Sequence, residues 1–349
     1  MRKLGGGAAG VAAAAALLSI SMGLPAQAVA QEKVLNLYTA RHYQTDESLY
    51  NNFTRQTGIK INRIEGQEDP LLERIRNEGA NSPADVFITV DIGRLWRAQQ
   101  AGVFAPVKSK VLESRIPANY RDPAGEWFGF SARARVIAYN KTAVKPGDIT
   151  RYEDLADPKW KGKVCTRSSG HVYNLSLVSS LIAHDGEAKT EAWARGVAGN
   201  LARAPKGGDT DQLKAVAAGE CDVAISNTYY IARLLKSTKP EDKAVSEKLG
   251  VVWPNQSSQG VHMNISGGGM LKHAPNKEAA VKFLEYLASD EAQAYFADGN
   301  NEWPVVPSVK IANPALESLG TFKADRIGVA ELGKYQPEAQ KLVDKAGYR

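Results

Sequence analysis

The run Trp127–Asn140, WFGFSARARVIAYN, constrains this chain most. Ordinary strands run to about six residues, so an extended segment of this length is expected to cross from one lobe of a molecule to another. Before it, strands and short helices alternate. Val34–Tyr38 alternates apolar and polar residues and reads as the first strand, ahead of a helix entered at Thr45 or Asp46 and stopped by Gly58. Ile59–Ile64 alternates again, and Asp69-Pro70 opens a helix with Leu71, Leu72 and Ile75 on one face, ending at Gly79. Asp85–Val90 is a third strand, followed by a helix through Leu95 and Trp96 that stops at Gly102. Such alternation predicts an α/β fold with a parallel or mixed sheet.

Beyond the long run the pattern repeats. A strand at Cys165 leads to helices that begin near Val172 and near Glu187 and to one over Asp209–Ala218, before a strand at Cys221–Ser226. Gln259–Met270, with its glycine triplet Gly267–Gly269, reads as a second crossing in which the glycines serve tight packing or hinge geometry. Asn276–Ala288 is a helix that buries Val281, Phe283, Leu284 and Leu287, and 328–346 has modest helical character. Two interleaved lobes follow: residues 31–131 with 257–305, and 132–256 with 306–349.

Residues 1–30 stand apart. Arg2 and Lys3 precede an alanine-rich apolar core and the small-residue sequence Ala26-Gln27-Ala28-Val29-Ala30, the pattern of a cleaved export signal. No later run is long and apolar enough to span a bilayer. Without Arg2 and Lys3, 42 of the 44 basic residues remain against 38 acidic ones, so the formal charge falls from +6 to +4. That excess is too small and dispersed to imply nucleic acid, although it suits anionic ligands. Cys165 and Cys221 are the only cysteines, and an isolated pair in an exported chain is most simply one disulfide.

The chemistry concentrates at Asn227–Arg233, NTYYIAR. An apolar strand ends there and Asn227 is placed to cap the following helix, so Tyr229 and Tyr230 stand at a strand-to-helix corner of the kind that lines α/β clefts. Arg233 lies one helical turn on and faces the same way. Phenol is a poor ligand until it loses a proton near pH 10, but a hard trivalent cation displaces that proton. Paired tyrosines therefore point to ferric iron.

At this corner, and at Leu35–Tyr43, Ser82–Phe87 and Lys159–Val164, the sequence resembles the periplasmic ferric-iron-binding proteins of bacterial ABC importers. The resemblance spans essentially the whole mature chain and implies a two-lobed, type II "Venus-flytrap" binding protein. Such a protein holds Fe3+ between its lobes and closes by hinge motion. It further implies a periplasmic monomer that delivers iron to an inner-membrane permease. Tyr229 and Tyr230 are the implied ligands from the second lobe, with Tyr43 and possible participation of His42 from the first. Some members supply a glutamate after the strand that ends near Thr89; here that position is Val90. In this respect the chain is similar to the tyrosine-rich cyanobacterial branch, and Tyr173 is the matching fourth phenol. Four phenolates around a ferric ion carry a net charge of −1, which a buried cleft tolerates only beside a cation. Arg233, with Arg133 or Arg135 on the long run, is expected to supply it. Ser168, Ser169 and Gly170 precede a helix and offer a place for a small anion beside the metal.

Simpler readings stand beside these. A single tyrosine is usually a core residue with a satisfied hydroxyl, and an exposed arginine usually pairs with a nearby acid to little effect. His171, His184, His262 and His273 lack metal-site spacing and are expected to be surface or structural. No Gly-x-Ser-x-Gly elbow, His-Glu-x-x-His helix or dinucleotide fingerprint is present, so the chain is not expected to be an enzyme. The rival is another solute on the same framework, such as an inorganic anion, thiamine or a polyamine.

Overall fold

The computed structural model describes residues 33–41 and 43–349. The export signal expected at 1–30 and the candidate ligand His42 lie outside the described residues. Among the described residues nine strands form one mixed sheet: β1 Val34–Thr39, β2 Lys60–Glu65, β3 Val86–Val90, β4 Phe128–Asn140, β5 Val164–Cys165, β6 Val223–Asn227, β7 Leu249–Val252, β8 Met263–Met270 and β9 Trp303–Pro304. The order along the main path is β2-β1-β3-β8-β4-β6-β5, and β7 and β9 also pair with β4. β1 runs parallel to β2 and β3, whereas β8 is antiparallel to both β3 and β4.

β4 is thirteen residues long and divides its pairing between two groups of strands. Phe128–Ala134 bonds to β8 and β9, with a shift in register between Gly129 and Ser131. Arg135–Asn140 bonds to β6 and β7. One strand thus serves as the edge of both groups, and twelve of its thirteen residues are buried.

The glycine triplet acts through close approach. β8 lies between β3 and β4, and a Cβ on Gly267, Gly268 or Gly269 would come within 2.4, 2.4 and 2.1 Å of the carbonyl oxygens of Phe128, Phe87 and Glu126. No side chain fits there. Gly93 plays the same part at the start of the helix Ile92–Gln100, where a Cβ would meet the side chains of Gln336 and Val172.

Most helix boundaries match the sequence pattern within a residue or two. Gly58, at φ 69°, ends the helix Asp46–Thr57; Glu68–Glu78 buries Leu71, Leu72 and Ile75. Lys277–Leu287 buries Phe283, Leu284 and Leu287, but Val281 is only half-buried, its place on the inner face being taken by Ala280 and Tyr286. The pattern gave no sign of the helices Pro240–Lys248 and Asp290–Asn300 or of β7. Cys165 and Cys221 form a disulfide with Cα atoms 5.8 Å apart. It binds the end of β5 to the turn before β6, and closing this loop removes roughly 4 kcal/mol of unfolded-state entropy in the simple chain model. No helix among the described residues is long and apolar enough to cross a membrane.

His262, at the approach to β8, is 2% exposed. Its backbone N–H donates to the Tyr152 hydroxyl (3.1 Å) and its carbonyl accepts from the Arg135 N–H (3.0 Å), yet neither ring nitrogen has a partner. Burial, reinforced by Arg135 and Arg133, lowers its pKa to about 3. The unfolded chain therefore binds a proton here that the native state refuses. The contribution is complete above about pH 6.5 and is lost as pH falls from there toward 3, by at most about 1.4 kcal/mol per pH unit. His262→Gln should flatten the acid limb of stability by that slope, as measured by urea unfolding of the metal-free protein from pH 7 to pH 4.

Candidate metal centre

Four phenols converge from three separate stretches of chain. Tyr43 lies in the turn after β1, where its carbonyl accepts from the Asp46 N–H as the next helix begins. Tyr173 is the second residue of the helix Val172–Asp185, which His171 caps by accepting the Tyr173 N–H on Nδ1 at 3.2 Å. Tyr229 and Tyr230 are the second and third residues of the helix Thr228–Lys236. Three of the four phenols thus stand in first helical turns, whose unpaired N–H groups favour negative charge.

The rings pack together with Val90 and Val172. The Tyr173 and Tyr229 hydroxyls are 3.2 Å apart, the rings of Tyr43 and Tyr229 meet edge to face at 5.8 Å, and those of Tyr229 and Tyr230 lie 4.2 Å apart. Tyr43, Tyr173 and Tyr229 are buried and Tyr230 is half-buried. Val90, where relatives of other branches were expected to carry a carboxylate, contributes only apolar packing. A cavity of about 370 Å³ opens nearby between Arg94, Trp96, His171 and Gln336, but the phenols do not line it.

Cations surround the cluster. Arg133 is completely buried, donates to the Ser266 hydroxyl at 2.8 Å, and sits 5.8 Å from the Tyr173 ring centre. Its Nε and Nη2 have no hydrogen-bond partner, so a buried guanidinium keeps donors in reserve beside the phenols. Arg233 is exposed, 5.9 and 5.6 Å from the Tyr229 and Tyr230 rings, and forms no ion pair among the described residues. Arg135 lies 5.9 Å from the Tyr173 ring centre and also donates to Asp209 (2.9 Å), Asn227 (2.9 Å) and Asn174 (2.7 Å), which tie it to the tyrosine corner. Asn227 occupies the expected cap position, but its side chain makes no cap hydrogen bond because its oxygen accepts from Arg135. Ser169 gives its hydroxyl to the Tyr348 carbonyl rather than facing the phenols.

Three participants escaped the sequence reading. Arg41 lies 4.5 Å from the Tyr43 ring centre and Arg167 lies 4.9 Å from that of Tyr173. Glu302, fully buried, accepts from the Tyr43 hydroxyl at 3.0 Å. A charged residue inside the extended stretch Asn301–Pro307 was the available signal, since an isolated carboxylate among apolar neighbours needs partners when buried.

The electrostatics keep Tyr43, Tyr229 and Tyr230 protonated. Burial, followed by Glu302, pushes Tyr43 well above its ordinary value against the pull of Arg133 and Arg41. Burial and then the neighbouring phenols Tyr173, Tyr43 and Tyr230 do the same to Tyr229. Tyr230 rises to about 12, chiefly by burial and then through Tyr173 and Asp209. Raised in this way, Tyr43, Tyr229 and Tyr230 stay neutral until a strong Lewis acid displaces their protons. The described residues contain no group of three His, Cys, Asp or Glu side chains suited to a metal.

Residues 81–324 match the family model described as bacterial extracellular solute-binding protein. This chain belongs to that family. Iron uptake protein A1 of Synechocystis is 52% identical over 91% of this chain and 88% of its own length. The Fe(3+)-binding periplasmic protein of Serratia marcescens is 30% identical over 95% and 96%, respectively. Among solved structures, a Trichodesmium protein in complex with iron and citrate superimposes with a TM-score of 0.87 at 56% identity, covering 90% of this chain and all of that one. The binding protein therefore has the two-lobed type II fold, and its relatives are solute receptors rather than enzymes.

Arg135→Met should destabilise the protein by about 3 kcal/mol, because among the described residues Asp209 would keep only Arg167, at 3.3 Å, as an ionic partner. Equilibrium unfolding in urea measures this.

Proposed function

We propose that this protein captures ferric iron in the periplasm through Tyr43, Tyr173, Tyr229 and Tyr230 and delivers it to the permease of an ABC importer. The observation that carries the reading is the convergence of four phenols from three chain segments on one buried point, flanked by an arginine with unused donors. Iron-binding names among the relatives support it. His42, next to Tyr43, belongs to the proposed set as a fifth donor. Arg133 and Arg233 orient the phenolates and balance the charge of the loaded site, whose four phenolates and ferric ion sum to −1.

The division of β4 between two groups of strands supports lobes at 31–131 with 257–305 and at 132–256 with 306–349. Tyr43 comes from the first lobe and the other three phenols from the second, so closure would complete the shell. A small anion is part of the proposal, since the Trichodesmium relative was solved with citrate as well as iron. Residues 1–30 would be removed on export, and the receptor would work as a monomer that opens and closes against its permease.

Two outcomes test the proposal. Ferric citrate added to the metal-free mature protein should produce a visible phenolate-to-iron band that saturates at one iron per chain, and Tyr230→Phe should weaken binding by more than about 100-fold while leaving the circular dichroism unchanged. A colourless wild-type protein would mean a different solute. Because protons must leave the raised phenols, apparent affinity should fall with pH by about tenfold per unit for each proton displaced. Competition against a chelator of known pH dependence, between pH 8 and pH 6, reads that slope.

A further inference from the structure

Glu302 joins parts of the molecule that are remote in sequence. Its carboxylate accepts from Tyr43 Oη (3.0 Å), from Ser131 Oγ on β4 (2.7 Å) and from Ser266 Oγ on β8 (3.4 Å). Arg41 and Arg133 approach it to 3.6 and 3.5 Å. Both arginines are buried, but they are not equally dependent on it. Arg41 also grips Asp46 through two contacts, at 2.6 and 3.2 Å. Arg133 forms no ion pair with any other carboxylate among the described residues.

This arrangement fits the empty site better than the loaded one. With the phenols neutral, Arg133 and Glu302 cancel each other and Tyr43 has a strong charged acceptor. Once four phenolates surround a ferric ion, Tyr43 no longer has a proton to donate and the complex carries its own negative charge. Arg133 then has two anions to serve, and Glu302 is the surplus one. We infer that Glu302 is a positioning residue that favours the empty state, holding Tyr43 and Arg133 in place for iron while weakening its grip so that the metal can be released. The inference rests on the ferric-iron reading above.

The test compares iron release from wild type, Glu302→Gln and Glu302→Asp to an excess of a ferric chelator, followed by loss of the visible band. Glu302→Gln keeps the shape and removes the charge. It should release iron at least about tenfold more slowly than wild type, the scale of one unit charge a few ångströms from the complex in a protein interior. Glu302→Asp, which restores the charge, should return the rate toward wild type. A second readout separates this role from mere support of the fold: metal-free Glu302→Gln should melt below metal-free wild type, because Arg133 is left uncompensated, yet gain more in Tm on loading. In a Tyr43→Phe background the effect of Glu302→Gln should shrink, since the hydrogen bond it acts through is gone.

Should Glu302→Gln fail to fold, the same comparison is made between Arg133→Met and the double variant Arg133→Met/Glu302→Gln, which leaves neither buried charge unpaired. The double variant should release iron at least about tenfold more slowly than the single one. Release from Glu302→Gln at the wild-type rate or faster, or equal rates in the second pair, overturns the inference. Absence of an iron-dependent band in wild type would instead overturn the reading on which it rests.

Discussion

A thirteen-residue strand can be buried along nearly its whole length only if its peptide groups are paired throughout, since an unpaired N–H or C=O away from water costs about as much as a lost hydrogen bond. β4 meets that demand by recruiting four other strands, β8 and β9 on its first half and β6 and β7 on its second. Everything at the tyrosine cluster follows from this. β4 carries Ser131, Arg133 and Arg135 on alternate positions, and side chains two residues apart share a face. Three polar side chains are thereby driven inward at the place where the two strand groups meet. Their partners had to come from elsewhere: Glu302 for the first two, Asp209 with Asn174 and Asn227 for the third.

Those ionic contacts divide the labour between rigidity and charge. Arg135 gives both of its Nη atoms to acceptors and fixes the corner from which Tyr229 and Tyr230 project. Arg133 keeps two nitrogens, Nε and Nη2, without a partner, and they sit beside the phenols. A buried arginine with idle N–H groups is an expense in an empty protein. It makes physical sense where a negative charge is due to arrive. The same reasoning accounts for the raised phenols Tyr43, Tyr229 and Tyr230, which stay neutral until something displaces their protons.

Much of this was legible in the sequence. The alternating run Val34–Tyr38, the one-sided helix with Leu71, Leu72 and Ile75, and the over-long run through Arg133 pointed to the elements and the mixed sheet, because local periodicity encodes which face is buried. The paired tyrosines could be picked out because adjacency at a strand-to-helix corner is a local feature; Tyr43 and Tyr173 came through resemblance. What could not be read was partnership over distance. Tyr43 and Glu302 are 259 residues apart, and nothing in the short stretch Asn301–Pro307 names the hydroxyl that Glu302 will accept from. Asn227 shows the limit from the other side. Its position at the head of the helix was right, but its side chain was taken by Arg135, whose buried charge outbid the cap.

The spread of the cluster along the chain also has a meaning for biosynthesis. Its members sit at residues 43, 173, 229 and 230, with the Glu302 carboxylate closing the set. A chain that emerges from its N-terminus has all four phenols by residue 230 but cannot add the carboxylate that accepts from Tyr43 until residue 302 has emerged. No shorter nascent fragment contains the whole constellation, and its loops are long enough that closing them is a late event in folding. The compartment in which the chain finishes folding is therefore also the first in which the phenols and the Glu302 carboxylate can stand together.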